Sequence, residues 1–229
     1  MNFALVERNR IWNDRSMIFA LSTMPVTTST PAFAEVHFIS APQWNREATS
    51  TRVTRVVPFY SQFNDIRSPK WQKVGCGVTS LAMIIDYYKP GTVSVNTLLS
   101  QGIEAGAYLN NAGWTYKGLI GLARDYGLDG KSYDLAGTAP TKAFSTLKGH
   151  LGHGPVMVSV HYKFDPKSTI PHLVVLNRIE NDTIYYNDPA AKNGEKTIST
   201  ADFLKAWKKR FIVIKPTVVP RSVAFSVRA

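Results

Sequence analysis

The sequence predicts a single α+β domain, and three observations carry that expectation. The length, 229 residues, suits one domain with tails. Between Val78 and Leu151 apolar residues recur mostly at helical spacing. From Val156 to Ile214 the pattern is chiefly of short apolar runs rich in β-branched residues and bounded by polar turns. Helices first and an antiparallel sheet afterwards is an α+β layout. Hydrophobic residues make up 44% of the chain and charged residues 19%, so a normal core forms and a disordered or collagen-like chain is excluded.

The elements follow in order. Arg8, Arg10 and Arg15 precede the apolar run Met17 to Leu21, and a Ser/Thr/Pro stretch leads to Ala32-Phe33-Ala34. This is the pattern of a signal peptide over 1–34, cleaved after Ala34, and it predicts a secreted or periplasmic protein. Residues 35–52 read as a linker, 53–214 as the domain and 215–229 as a tail holding Pro216 and Pro220. Val53 to Tyr60 alternates and reads as a strand that ends in a loop from Ser61 to Gly75. Val78, Leu81, Ala82, Ile85 and Tyr88 then mark a helix stopped by Lys89-Pro90-Gly91, with Cys76 at its start. Further helices are expected around Val95–Leu99, over Thr115–Tyr126 with Thr115 as N-cap and Gly127 ending it, and over Thr141–Leu151. Strands are expected at Val156–Val160, His172–Ile179 and Thr183–Asn187, the last two joined by the turn Glu180-Asn181-Asp182. A helix Thr200–Lys209 and a strand Phe211–Ile214 close the domain.

Composition bounds the chemistry. With one cysteine, neither an intramolecular disulfide nor a multi-Cys zinc site can form. The net charge of +11 points to an anionic cell-envelope surface as a partner. No nucleic-acid motif accompanies the charge, and the cluster Lys205, Lys208, Lys209 and Arg210 reads as the solvated face of a helix. No apolar run is long enough to span a membrane. His150 and His153 have no neighbouring carboxylate or thiol, so neither a metal nor another cofactor is expected, and the protein is expected to be a monomer. Trp71, Trp114 and Trp207 read as core residues, with a substrate groove as the other possibility.

A thiol reacts as its thiolate, and at an ordinary pKa only about 3% is ionised at neutral pH. A helix amino-terminus and a nearby imidazolium both lower that pKa, and Gly75-Cys76-Gly77 places Cys76 where the first acts. The flanking glycines would let a substrate backbone come close. Of the five histidines, His172 alone opens a strand reading, and a hairpin from it returns to Asn187-Asp188-Pro189. Asp188 can thereby fix the tautomer of His172 and leave the other ring nitrogen to face the thiol.

In that order, Val57-Pro58-Phe59-Tyr60-Ser61-Gln62, Gly75-Cys76-Gly77-Val78-Thr79-Ser80-Leu81-Ala82-Met83, Gly154-Pro155-Val156, His172-Leu173-Val174-Val175 and Asn187-Asp188-Pro189 resemble one family. It is that of the stand-alone relatives of the double-glycine (bacteriocin leader) peptidases, over residues 56–214. The resemblance implies a papain-like fold, with a helical half carrying the cysteine packed on a sheet half carrying the histidine and aspartate. It implies thiol hydrolysis of peptide or isopeptide bonds by Cys76, His172 and Asp188, and a glutamine donating to the oxyanion. Two glutamines compete: Gln62 keeps the strand context, while Gln72 stands nearer to Cys76 in sequence. The transporter-linked members carry membrane and ATP-binding domains, for which this sequence shows no signature, so double-glycine cleavage is not carried over. Peptide or protein substrates are expected. An amidase or acyl transferase acting on peptidoglycan-like peptides, and a binding module without turnover, are the alternatives.

Overall fold

The computed structural model describes residues 55–110 and 112–217. The signal-peptide and linker readings, and residues 218–229 of the tail, lie outside the described residues. In chain order the elements are α1 (Pro69–Gln72), α2 (Cys76–Tyr88), α3 (Val95–Glu104), β1 (Tyr108–Leu109), β2 (Gly113–Trp114), α4 (Tyr116–Arg124), β3 (Leu128–Asp134) and α5 (Pro140–Leu151). They continue with β4 (Val156–His161), a 3₁₀ turn (Tyr162–Phe164), β5 (Pro171–Glu180), β6 (Thr183–Asn187), β7 (Lys196–Ser199), α6 (Thr200–Ala206) and β8 (Trp207–Pro216).

The strands β3 to β8 form an antiparallel sheet in the order β3-β8-β4-β5-β6-β7. Its central strands are apolar on both faces because helices cover both. Met157, Leu173, Val175, Ile212 and Ile214 join one core with Val78, Leu81, Ile85, Leu98, Leu119 and Leu122. Val158, Val160, Val174, Leu176, Phe211 and Val213 face the other way, into a second core with Ala143 and Leu147 of α5 and Phe203 of α6. The alternation along β4, β5 and β8 thus assigns successive side chains to opposite cores. α2 lies within the first core, with every residue from Gly77 to Ile85 buried.

Local chemistry sets the helix ends. Thr115 Oγ1 accepts from the Gly118 N–H at 3.0 Å and Ser199 Oγ from the Asp202 N–H at 3.1 Å, capping α4 and α6. Gly127, at φ +70°, turns the chain from α4 into β3.

Four expectations are corrected. Residues 55–60 form no strand, because their carbonyls at Val57 and Pro58 accept from the Asn187 side chain instead of a ladder partner. α3 runs on to Glu104. β3 and β7 went unpredicted because both lie largely exposed at sheet edges, where the apolar alternation that reveals a strand is missing. Residues 207–210 belong to β8, not to a helix. Lys209 Nζ donates to the carbonyls of Ala136 and Thr138, and Arg210 pairs with Asp134, so two members of the basic cluster pin the segment between β3 and α5.

Candidate active site

The site is built where one strand stops early. β6 pairs with β5 only as far as Asn187 opposite Val175, so the first residues of β5 have an open edge. The first turn of α2 fills it. Ser80 Oγ donates to the Leu173 carbonyl at 3.1 Å, and the Leu173 N–H donates to the Cys76 sulfur. Helix and strand are thereby held in register, and the cysteine that starts one meets the histidine near the start of the other.

His172 is almost wholly buried, its side chain 3% exposed. Its Nε2 lies 2.6 Å from Asp188 Oδ1, and the ring is also hydrogen-bonded to the Cys76 sulfur, which leaves Nδ1 for the thiol. Asp188 is 14% exposed, and its Oδ1 accepts as well from the Ala190 N–H at 2.8 Å, in the turn that Pro189 imposes after β6. The Tyr162 ring stands edge-on to the imidazole, centroids 5.3 Å apart. No motif had pointed to Tyr162, because nothing in sequence relates it to a histidine across the β4–β5 turn.

Electrostatics favours a charged pair. Burial pushes the half-buried Cys76 thiol up, but the hydrogen bond to His172, the imidazolium charge and the N–H groups of Leu173 and Gly77 outweigh it, and the net direction is down. Burial pushes His172 down, yet its bonds to Asp188 and Cys76 raise it to about 9.

The two glutamines part company. Gln62 is buried, its backbone N–H bonded to the Pro189 carbonyl at 2.8 Å and its Nε2 donating to the Gln72 carbonyl at 2.8 Å. Its Cβ would stand 3.4 Å from a Cβ on Gly75, beside the residue that precedes Cys76. Nε2 carries a second proton that the Gln72 bond does not use. The Gln72 side chain donates to the carbonyls of Phe63 and Ile66, closing its own loop. The glycines around Cys76 are tightly packed against the protein itself. A Cβ at Gly75 would lie 2.2 Å from Ile66 Cδ1, and one at Gly77 2.7 Å from Trp114 Cβ. Trp114 and Trp207 are core residues; Trp71 is half-buried against Tyr108 and Trp114.

Among the described residues no group of three or more His, Cys, Asp or Glu is placed to hold a metal, and no helix is long and apolar enough to cross a membrane. The model of the Peptidase_C39-like family matches residues 54–211. Among solved structures, the chain is similar to a double-glycine-motif protease from an AMS/PCAT transporter in complex with its leader peptide. The identity is 25% and the TM-score 0.51, over 73% of this chain and 96% of that one. It is also similar to a C39-like peptidase from Bacillus anthracis, 20% identical with a TM-score of 0.51, over 72% of this chain and 96% of that one. No curated protein matches. The fold is papain-like, a helical half packed on an antiparallel sheet, with Cys76 on the first and His172 and Asp188 on the second.

Proposed function

Because the chain belongs to the Peptidase_C39-like family, and is a cysteine peptidase by kind, we propose that it hydrolyses peptide bonds through Cys76, His172 and Asp188, with Gln62 completing the oxyanion hole. One observation carries this most: a single imidazole bonds Asp188 through Nε2 at 2.6 Å and the only thiol of the chain through its other nitrogen.

In this reading Cys76 waits as a thiolate beside a protonated His172. The sulfur attacks the scissile carbonyl, and negative charge develops on the former carbonyl oxygen. In this reading the Cys76 N–H, among the first-turn donors that α2 leaves unpaired, and the second proton of Gln62 Nε2 stabilise that charge. His172 gives its Nδ1 proton to the leaving amine as the C–N bond breaks, leaving an acyl group on the sulfur. Neutral His172 then takes a proton from water, whose hydroxide oxygen attacks the thioester. The acid is released, the thiolate returns, and Asp188 holds the ring in one tautomer throughout. Peptides are the substrate class proposed, in keeping with the leader peptide held by the double-glycine-motif protease to which the chain is similar. Export by a signal peptide over residues 1–34 belongs to the same reading.

The test is covalent capture with a peptide-based thiol probe at neutral pH, beside a peptide-cleavage screen. Wild type labels rapidly and cleaves; Cys76→Ala does neither and keeps its melting temperature to within a few degrees. Cleavage that survives Cys76→Ala excludes the mechanism.

A further inference from the structure

Asn187 precedes the proposed orienting aspartate, and the mechanism above gives it no part. It is among the most buried polar residues, 1% exposed, and its amide is saturated. Nδ2 donates to the Val57 carbonyl at 3.2 Å and the Pro58 carbonyl at 3.1 Å. Oδ1 accepts from the Glu195 N–H at 2.8 Å and from Asn177 Nδ2 at 3.3 Å. Two protons on one side and two lone pairs on the other exhaust what an amide can do.

The partners it joins matter for the site. Residues 55–60 lie in no ladder, yet they lead directly to Gln62. What fixes them is the segment after β6: Asn187 holds Val57 and Pro58, Pro189 O accepts from the Gln62 N–H, Ala191 O accepts from Ser61 Oγ at 2.9 Å, and Phe59 packs on Gly194. On the other side, β5 carries an extra residue, Asn177, where its register with β6 shifts, and this bulge supplies a donor to Asn187 Oδ1. We infer that Asn187 is a positioning residue for catalysis: it replaces a missing strand partner and sets the position of Gln62 relative to Cys76. This rests on the oxyanion reading of Gln62. One turn thereby carries both halves of the machinery, orienting the imidazole through Asp188 and the oxyanion donor through Asn187.

The test is a double-mutant cycle on kcat and KM with Gln62→Ala, Asn187→Ala and both, supported by Asn187→Asp. The last keeps the shape and the acceptor for Glu195 N–H but sets a carboxylate against two carbonyls. Each Asn187 variant is expected to lower kcat roughly 10- to 100-fold with KM little moved, as a displacement of about 1 Å does. The double variant should be no slower than Gln62→Ala, since both substitutions remove the same donor. Iodoacetamide alkylation of Cys76, which forms no oxyanion, should keep its rate in Gln62→Ala and in Asn187→Ala. Rates are read well below each variant's melting temperature, and if Asn187→Ala does not fold, the cycle is run with Asn187→Asp. Multiplying losses in the double variant, or wild-type kcat in both Asn187 variants beside a slow Gln62→Ala, overturn the inference alone. A Gln62→Ala enzyme with undiminished kcat overturns the oxyanion reading and this inference with it.

Discussion

His172 shows how far one hydrogen bond moves a proton. Burial of the ring disfavours its charge, while the Asp188 bond, the largest of the opposing effects, and the Cys76 bond reverse the balance and hold it at about 9. The thiol moves the other way, below its ordinary value. The two titrate as a coupled pair, thiolate with imidazolium. Activity therefore rises with pH as the pair sheds its first proton and falls as it sheds the second near 9. Asp188→Asn removes a carboxylate that favours the imidazolium. The alkaline limb of the kcat/KM profile should then move to lower pH, with a fall in kcat from loss of the tautomer lock. A profile whose alkaline limb stays in place would show that Asp188 does not act on His172. At this scale the sequence was half legible. Cys76, His172 and Asp188 could be singled out by residue type and by a hairpin spacing. Gln62 and Gln72 lie on two arms of one loop, and that Gln62 packs beside Gly75 while the Gln72 amide bonds its own loop depends on contacts the sequence does not display.

The first turn of α2 is the element on which the site turns. Its start is set by Gly75 and Gly77, neither of which has room for a side chain. Trp114 fills the space over Gly77, and its Nε1 donates to the Val74 carbonyl at 2.7 Å, just before the helix. The aromatic ring therefore clamps the helix start from both sides. Gly77→Ala would drive a methyl group to 2.7–2.9 Å from three Trp114 atoms. Overpacking of this kind costs about 1–3 kcal/mol, and here the strain is relieved by shifting either Trp114 or Cys76. The expected outcome is a lower melting temperature together with slower alkylation of Cys76. Retention of both would mean that the clamp is slack. The helix could be read from its 3.6 period and its stop. The reason for its glycines could not, because Trp114 arrives from a hairpin that the sequence did not reveal.

At the scale of the molecule, the sheet separates two cores with different duties. The core under α2, α3 and α4 carries Cys76 at its edge, while the core under α5 and α6 does not include it. Phe211 belongs to the second, fully buried and stacked on Tyr133 at 4.6 Å. Phe211→Ala should cost about 3–5 kcal/mol of unfolding free energy in denaturant titration. Turnover per folded molecule should stay near wild type at a temperature where the variant is folded. A large fall in kcat without loss of stability would show that the two cores are coupled.

By itself the sequence determined the α+β class, the helix with Cys76 at its first position, the central apolar strands and the hairpin that ends in Asn187-Asp188-Pro189. These are local matters, set by period, capping and turn chemistry over a few residues. Tertiary structure decided which strands are edges, that Gln62 packs beside Gly75 while the Gln72 amide closes its own loop, that the basic run 208–210 joins a strand, and that one buried asparagine holds a ladderless segment. Each of those depends on partners far apart in the chain. A hydrogen bond between Asn187 and Val57, 130 positions apart, leaves no periodic trace in either segment.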